Sequence, residues 1–277
     1  MKYIIITSLL ILTFSCTKTT EDITLSNDVP VVSSFISPNS TPLVQISKLI
    51  LFENDITDTT GDIEGLEVYL SDYEATYQMS PVEGKPGQYH YTDSALQIDE
   101  GEDYYLEFLY KDIPVSSQTK VPFKPENYEV STTLIELDRI TEGEGGGGPG
   151  LNSSTLDLYW NNPDNGFYLV RYEYLESTYD PVNENIVIDN PEDVANVTST
   201  PIQDSMYSIR ETQFRYFGKY HLILYKITDE YAAVYESLNQ SSLEDLSEPI
   251  TNINNGKGIF ASFNSDTLLV NVVEDWY

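Results

Sequence analysis

Two histidines are the residues best suited to acid–base or metal chemistry in this chain of 277 residues. His90 and His221 each lie next to a tyrosine in a strand-like segment, and they do not form a pair with the spacing of metal ligands. A hydrogen-bonded structural role is therefore expected for both. No serine stands in a G-x-S-x-G sequence, which would place a nucleophile on a sharp turn. The sequence predicts no catalytic residue, no metal site and no enzymatic activity.

Acidic side chains leave two further chemistries open. Glycoside hydrolysis needs two carboxylates about 5 to 10 Å apart, and nothing singles out such a pair among the 45 Asp and Glu residues. A carbohydrate-active enzyme is thus the least favoured alternative. Calcium prefers oxygen ligands, and two loops are rich in carboxylates: Asp55, Asp58 and Asp62, and Asp99, Glu100, Glu102 and Asp103. Neither loop has EF-hand spacing, so solvated loop acids are the commoner explanation and no cofactor is predicted.

The only cysteine, Cys16, follows a short apolar segment at the N-terminus. The start is positively charged, and the apolar stretch over 3–14 is too short for a bilayer, which needs about 20 apolar residues. Residues 1–15 are therefore predicted to be a secretory signal peptide. Ser15 is the small residue that bacterial lipoprotein processing requires before the cysteine, whose thiol receives a diacylglycerol before the chain is cut. Lipidation of Cys16 is the modification that the sequence predicts.

A lipidated Cys16 would attach the chain to a membrane. Two or more acyl chains anchor a protein stably, whereas one chain binds only reversibly. The polar residues 16–27 are predicted to be a flexible tether. Thr13 and Phe14 depart from the usual lipoprotein pattern, so an ordinary cleaved signal with an incidental cysteine is the alternative.

The formal charge of −31 argues against one class of partner. Nucleic acids and anionic headgroups are bound through Lys and Arg side chains that replace counterions, and the chain has 14 of these against 45 Asp and Glu. No nucleic-acid binding is predicted. An acidic surface keeps a secreted protein soluble, while 40% apolar and 12% aromatic residues are enough to build a core.

Short apolar-rich segments recur at intervals of about 8 to 12 residues, which is typical of an antiparallel sandwich. In the first half they are 31–37, 43–52, 66–72, 75–82, 88–93, 103–112 and 114–122. Alternation within 103–112 predicts that the even-numbered side chains from Tyr104 to Tyr110 face the core. Prolines 122 and 125 end the last strand. Residues 28–122 are therefore predicted to form an N-terminal β-sandwich domain.

Residues 123–277 are predicted to form a second, β-rich domain. A glycine-rich loop at 141–150 and an irregular polar segment at 175–208 interrupt its strands. The strand-like segments are 128–140, 151–160, 167–174, 219–227, one through Phe260 and Phe263, and one at 268–273. The segment 219–227 is apolar on both faces, which favours a central position in a sheet.

One short amphipathic helix is predicted near 228–239. Thr228 is its expected N-cap, and the apolar stripe has helical spacing. The stripe consists of Tyr231, Val234, Tyr235 and Leu238. The complete prediction is a mostly β fold of two antiparallel, sandwich-like domains of the immunoglobulin or fibronectin kind, the second carrying this helix.

Five stretches carry a resemblance to a known family. They are "PVVSSFISPNSTPLVQISK" (30–48), "GKPGQYHYTD" (84–93), "GEDYYLEF" (101–108), "VSSQTKVP" (115–122) and, most specific, "PITNINNGKGIFASF" (249–263). Through them and Cys16 the chain resembles the Bacteroidetes lipoproteins grouped as domain of unknown function 4249 (DUF4249). The resemblance implies an outer-membrane lipoprotein, often paired with a TonB-dependent receptor, and no catalytic residue. Gly256 and Gly258 permit a tight turn, and a phosphate loop is disfavoured because the Walker pattern is absent.

The expected function is binding at a membrane surface. We expect a lipid-anchored outer-membrane protein, exposed on the cell surface, that captures or gates a nutrient or glycan as an accessory to a TonB-dependent transporter. The C-terminal domain and its segment 175–208 are the expected contacts with barrel or ligand. Trp160, Trp276 and the tyrosines are candidates for stacking on sugars. The alternative is an adhesin or envelope-assembly component, which needs no deep pocket.

Overall fold

Most of the described residues form β-strands joined by short turns. The computed structural model describes residues 29–49, 61–141, 155–239 and 250–275. The predicted signal peptide, the tether with Cys16 and most of the glycine-rich loop lie outside these ranges. Within them, no helix is long and apolar enough to cross a membrane.

The fold is mostly β, as predicted. The strands before residue 122 are β1 Pro30–Ile36, β2 Leu43–Lys48, β3 Val68–Ser71, β4 Thr76–Gln78, β5 Ser80–Pro81, β6 Gln88–His90, β7 Asp103–Tyr110 and β8 Ile113–Lys120. Those that follow are β9 Glu126–Val130, β10 Leu134–Leu137, β11 Thr155–Asn161, β12 Phe167–Tyr174, β13 Asp180–Pro181, β14 Asn196–Thr198, β15 Met206–Arg210, β16 Tyr216–Ile227 and β17 Lys257–Glu274. The helices are α1 Pro191–Ala195 and α2 Asp229–Asn239, and the second confirms the helix predicted near 228–239.

The strands of the described ranges assemble into three sheets. The largest has ten strands in the order β14-β12-β16-β17-β1-β2-β6-β5, with β10 also paired to β17 and β13 to β16. A four-stranded sheet has the order β4-β3-β7-β8, and a three-stranded sheet has the order β15-β11-β9. The ladders between these strands are antiparallel except where β17 pairs with β1 and with β10.

Each smaller sheet packs on one half of the ten-stranded sheet. The first core lies between β1, β2, β6 and the start of β17 on one side and β3, β7 and β8 on the other. The second core lies between β12, β16 and the rest of β17 on one side and β9, β11 and β15 on the other. The side chains of β7 alternate as predicted, with Tyr104, Leu106, Phe108 and Tyr110 buried. The two sandwich-like layers therefore share one sheet.

The shared element is β17, which the sequence predicts as two strands. Its first part pairs in parallel with β1, ending at Ile36 opposite Ser262. Its second part pairs antiparallel with β16, from Phe263 opposite Ile227 to Val272 opposite Gly218. The polar residues 264–267 resemble a turn, but the long partner strand β16 satisfies their backbone groups, so the strand continues through them.

Two other predicted segments are divided by the tertiary structure. The single strand predicted at 128–140 is wrong: β9 joins the three-stranded sheet, while β10 pairs with β17. The predicted irregular segment 175–208 contains β13, α1, β14 and the start of β15. Pro191 stands at the start of α1, where its missing N–H costs nothing.

Three buried tyrosine hydroxyls bind backbone groups, two of them in loops. Tyr89 donates to Ile63 O at 2.9 Å, and Tyr104 donates to Gln97 O at 2.9 Å. Each hydroxyl also accepts a backbone N–H, from Leu66 at 3.2 Å and from Asp99 at 2.8 Å. Tyr220 binds both backbone groups of Tyr216 in the same manner. These loops are thus attached to the cores by groups that would otherwise need water.

Arg139 joins three segments at one end of the second core. Its guanidinium donates to Glu274 at 2.9 and 3.0 Å and to Asp180 at 2.7 and 3.1 Å. It also lies over the ring of Phe217, at 4.6 Å from the centroid. The hydrogen bonds from Arg139 hold the pKa of Asp180 below its usual value. The end of β17, β13 and the chain after β10 are therefore connected by one charged group.

We expect Tyr104→Phe to lower the free energy of unfolding by about 1–3 kcal/mol, because it removes a donor and an acceptor from partly buried backbone groups. Urea denaturation measures the change. Tyr105→Phe is the matched control, since Tyr105 lies on the same strand with 40% of its surface exposed. Equal stability losses in the two variants would contradict this role of Tyr104.

We expect Arg139→Met to lower the free energy of unfolding at pH 7 by about 1–2 kcal/mol, a modest value because the Asp180 carboxylate is exposed. The loss should shrink as the pH falls below about 4. Asp180 has a depressed pKa in the folded protein, so it stabilises the fold above its unfolded pKa of about 3.9 and loses this effect on protonation. Urea denaturation at several pH values, with the exposed Arg215→Met as control, tests this. A loss independent of pH would contradict it.

Candidate functional site

The two histidines lie far apart in the ten-stranded sheet. His90 is half-buried in β6, opposite Leu43 of β2. His221 is half-buried in β16, opposite Glu173 and Leu269. Strands β17, β1 and β2 separate β16 from β6. The structure does not bring the histidines together into one site.

Two of the described loop acids, Asp62 and Glu100, form hydrogen bonds within the protein. Asp62 accepts a hydrogen bond from Gln45 Nε2 at 3.0 Å. Glu100 accepts from the Lys124 backbone N–H at 2.9 Å and from Asn264 Nδ2 at 3.0 Å. In the described ranges, no three Asp, Glu, His or Cys residues are grouped so that they could hold a metal ion. Asp55 and Asp58 lie outside those ranges.

Trp160 is buried and does not form an exposed stacking surface. Its exposed fraction is 4%, and its ring centroid lies 5.4 Å from that of Tyr168 in the second core. Trp276 lies outside the described residues. Many tyrosines fill the two cores. Tyr225 and Tyr231 instead line a groove outside the cores.

The family-like stretch 249–263 leads along the chain into β17. Its asparagines form hydrogen bonds with β8 and with β17. The Asn252 amide donates to Phe260 O at 2.6 Å and accepts from the Phe260 N–H at 3.0 Å, as a strand backbone would. The Asn254 backbone exchanges hydrogen bonds with Ser116, and Asn255 Nδ2 donates to Pro114 O at 2.8 Å. The asparagines of this stretch therefore close the edge of the first sandwich.

Gly258 allows the closest backbone approach in this stretch. Its φ is +93°, and a Cβ at this position would lie 2.0 Å from the carbonyl oxygen of Val32 in β1. Only glycine fits a strand that must come this close to its neighbour. The glycine serves strand pairing, which agrees with the low expectation of a phosphate loop.

A groove on the outer face of the ten-stranded sheet is the described concavity best suited to a small molecule. It encloses about 320 Å³ between α2 and strands β1, β12, β16 and β17. We call it the α2 groove. It is defined by Phe35, Leu169, Arg171, Tyr225, Tyr231 and Phe263. Its outer position follows from alternation, because the core-facing neighbours of Phe35 are buried and Phe35 itself is 40% exposed.

Helix α2 forms one side of this groove. The chain leaves β16 at Ile227 and enters α2 at Asp229, so the helix folds back over the end of the sheet. Ala232 is 1% exposed and packs with Leu169 and Ile227. This small residue, which lies outside the predicted stripe, is thus the most buried described side chain of the helix. Thr228 occupies the predicted N-cap position, since its carbonyl accepts from the Ala232 N–H at 3.1 Å, but its buried Oγ1 has no hydrogen-bond partner in the described residues and so does not cap the helix.

Aromatic rings line the groove in two edge-to-face pairs. The ring centroids of Phe35 and Tyr231 are 5.5 Å apart with an interplanar angle of 78°. Those of Tyr225 and Phe263 are 5.5 Å apart with an angle of 75°. Such pairs stabilise one another by about 0.5–1.5 kcal/mol beyond their buried area. They give the groove walls of fixed shape.

Arg171 supplies the positive charge of the groove. Its side chain is 38% exposed, and its acceptor among the described residues is Glu173, with Nη2 and Oε1 3.4 Å apart. Burial raises the pKa of Tyr225, and the charge of Arg171 opposes this rise. Arg171 and Tyr225 both line the groove, so a bound group can meet donors from each of them.

A second, larger concavity of about 490 Å³ lies on the outer face of the four-stranded sheet. Glu67, Tyr69 and Glu107 line it, and the Tyr69 hydroxyl donates to Glu67 at 3.3 Å. Tyr105 and Leu109, which alternate with the buried residues of β7 and so share the outer face with Glu107, are 40% and 60% exposed. An apolar surface with carboxylates beside it suits a protein partner better than a small ligand.

The residues of the α2 groove come from distant parts of the sequence. Phe35 lies in β1, Arg171 in β12 and Phe263 in β17, and only the sheet order brings them together. One sequence signal indicates that the outer face of the ten-stranded sheet is covered at β16. It is the apolar character of 219–227 on both faces of the strand. It indicates burial but not the position of Arg171.

Comparison with known proteins gives a family and a distant structural likeness. The family described as "Domain of unknown function (DUF4249)" matches residues 18–268. No curated protein matches the chain. Among solved structures, the crystal structure of chicken CNTN1 FN1–FN3 domains matches with 12% identity and a TM-score of 0.29, covering 88% of this chain and 68% of that chain.

We expect Gly258→Ala to lower the free energy of unfolding by more than about 3 kcal/mol, because the added Cβ meets the Val32 carbonyl at an unfavourable φ. Gly84→Ala is the matched control. Gly84 also has a positive φ, +72°, but a Cβ there would meet no atom within 4 Å. Its expected loss is about 1 kcal/mol. Equal losses, measured by urea denaturation, would show that the close approach to β1 is unimportant.

Proposed function

Since this chain belongs to the DUF4249 family, which matches residues 18–268, we propose that it is a lipid-anchored binding protein of the outer membrane. In this proposal Cys16 is acylated, the body faces the cell surface as in the Bacteroidetes lipoproteins it resembles, and the chain assists a TonB-dependent transporter. It holds a small nutrient before the barrel takes it up. Catalysis is not part of the proposed function.

The α2 groove is the observation that carries the binding proposal. Ligand sites are typically concave and mostly apolar, with a few polar groups that fix orientation. The groove has four aromatic rings and the single cation of Arg171. The adhesin alternative requires no such concavity, so the groove favours capture of a small molecule.

The anchor proposal rests on the sequence around Cys16. Acylation on two or more chains holds a protein on a bilayer, and a soluble body on a tether can then reach a barrel in the same membrane. The acidic balance, −31 overall, agrees with a partner other than an anionic headgroup surface.

A second candidate function is protein docking in adhesion or envelope assembly. The outer face of the four-stranded sheet favours it, because Tyr105 and Leu109 are exposed beside the carboxylate of Glu107. A partner for this face would present apolar side chains with a basic residue. The same surface also suits the barrel, so the two candidates differ in the partner that is recovered.

We expect a tagged copy of the full chain, isolated from gently solubilised membranes of its host, to bring down a TonB-dependent barrel in near-stoichiometric amount. Mass spectrometry identifies the barrel. Cys16→Ser is the matched control: the barrel should be lost, because the chain is no longer held in the outer membrane. Cell fractionation confirms that the variant is still exported.

Repeated isolation of the chain without any barrel would overturn the transporter role. Stoichiometric recovery of another surface protein in its place would instead support docking in adhesion or assembly. An unchanged barrel yield from Cys16→Ser would overturn the need for the anchor.

A further inference from the structure

We infer that the α2 groove selects ligands that combine a flat apolar body with a single anionic group. This inference rests on the proposed binding function and names the chemical class that the groove takes. Two features of the groove carry it: the arrangement of its aromatic rings, and the incomplete pairing of its one guanidinium.

The walls and floor of the groove favour a flat apolar body. Phe35, Tyr225 and Phe263 project from neighbouring strands of the sheet and Tyr231 from α2, with Phe35 and Tyr231 in one edge-to-face pair and Tyr225 and Phe263 in another. Leu169 belongs to the floor and is 6% exposed. A planar ring system between such walls contacts ring faces and edges at once.

The guanidinium of Arg171 favours an anion. It has five N–H donors, and its acceptor among the described residues is one oxygen of Glu173, 3.4 Å from Nη2. A strong charge-assisted hydrogen bond is shorter, about 2.7–2.9 Å. Among the described residues, the other donors of this guanidinium have no acceptor, and a carboxylate, sulfonate or phosphate oxygen pair matches their planar fork.

The charge of the whole protein makes this arrangement selective. A net charge of −31 repels small anions from most of the surface. Arg171 is the one Lys or Arg among the residues that line the groove. Any preference for an anion must then come from this side chain, and it should disappear when the guanidinium is removed.

The volume of the groove sets the size of the ligand. About 320 Å³ lies at the lower end of the range for ligand sites, which is about 300–1,000 Å³. The groove therefore suits a molecule with two or three rings, and is too small for an oligosaccharide to be enclosed.

Two fluorescent dyes with one skeleton test the inference. 8-Anilinonaphthalene-1-sulfonate carries one anionic group, and N-phenyl-1-naphthylamine is its neutral counterpart. Both become fluorescent in apolar sites, so titration gives a dissociation constant for each. We expect the wild-type chain to bind the sulfonate about 10-fold more tightly than the neutral dye, which corresponds to one charge-assisted contact.

Three variants locate the binding. Arg171→Gln should weaken the sulfonate about 10-fold and leave the neutral dye unchanged, which also shows that the groove is still folded. Tyr231→Ala should weaken both dyes, because it removes one wall. Arg215→Gln, which changes an exposed arginine outside the groove, should alter neither.

The outcomes separate the inference from the proposed function. Binding of both dyes with equal affinity, unchanged in Arg171→Gln, would overturn the anion preference and leave the groove as a binding site. Binding of neither dye would overturn the groove as a ligand site, and with it the binding function. A sulfonate preference that survives in Arg171→Gln would overturn the role of Arg171, and dye binding unaffected by Tyr231→Ala would overturn the location.

Discussion

The pairing of β17 with both β1 and β16 is the constraint on which the rest of the structure depends. One strand of 18 residues supplies hydrogen bonds to the first half of the ten-stranded sheet and then to the second. The residues near its start, from Ile259 to Ser262, are all buried. The two sandwich-like layers therefore form around one backbone segment, and Gly258 permits its approach to β1.

The α2 groove is a consequence of this shared strand. Phe35 reaches the outer face because β1 lies directly beside β17, and Tyr225 reaches the same face because β16 lies on the other side. Helix α2 starts just after β16 and covers only part of this face. The apolar part of the groove thus comes from packing that folding needs in any case. The element that is specific to ligand binding is the cation of Arg171.

The sequence predicts local structure well where one face of a strand is wet. The alternation from Tyr104 to Tyr110 places its residues correctly, since water on one side leaves a period of two in the pattern. Prediction from the sequence fails where pairing with a distant strand overrides the local pattern. The polar stretch 264–267 suggests a turn but continues a strand, because β16 is long enough to pair with it. The groove is invisible for the same reason: strand order, which is non-local, decides that Phe35 and Arg171 share a face.

The direction of β1 has a mechanical consequence. β1 is the first described strand after the predicted anchor, and it lies between β17 and β2, with six residue pairs to β17 from Val31 to Ile36. A pull on its N-terminal end acts along the strand, at right angles to the cross-strand hydrogen bonds, so these bonds are loaded together in shear and do not open one after another. With the proposed attachment at Cys16, a force on the tether would pass into the middle of the sheet, and the paired strand β1 would resist unfolding under it.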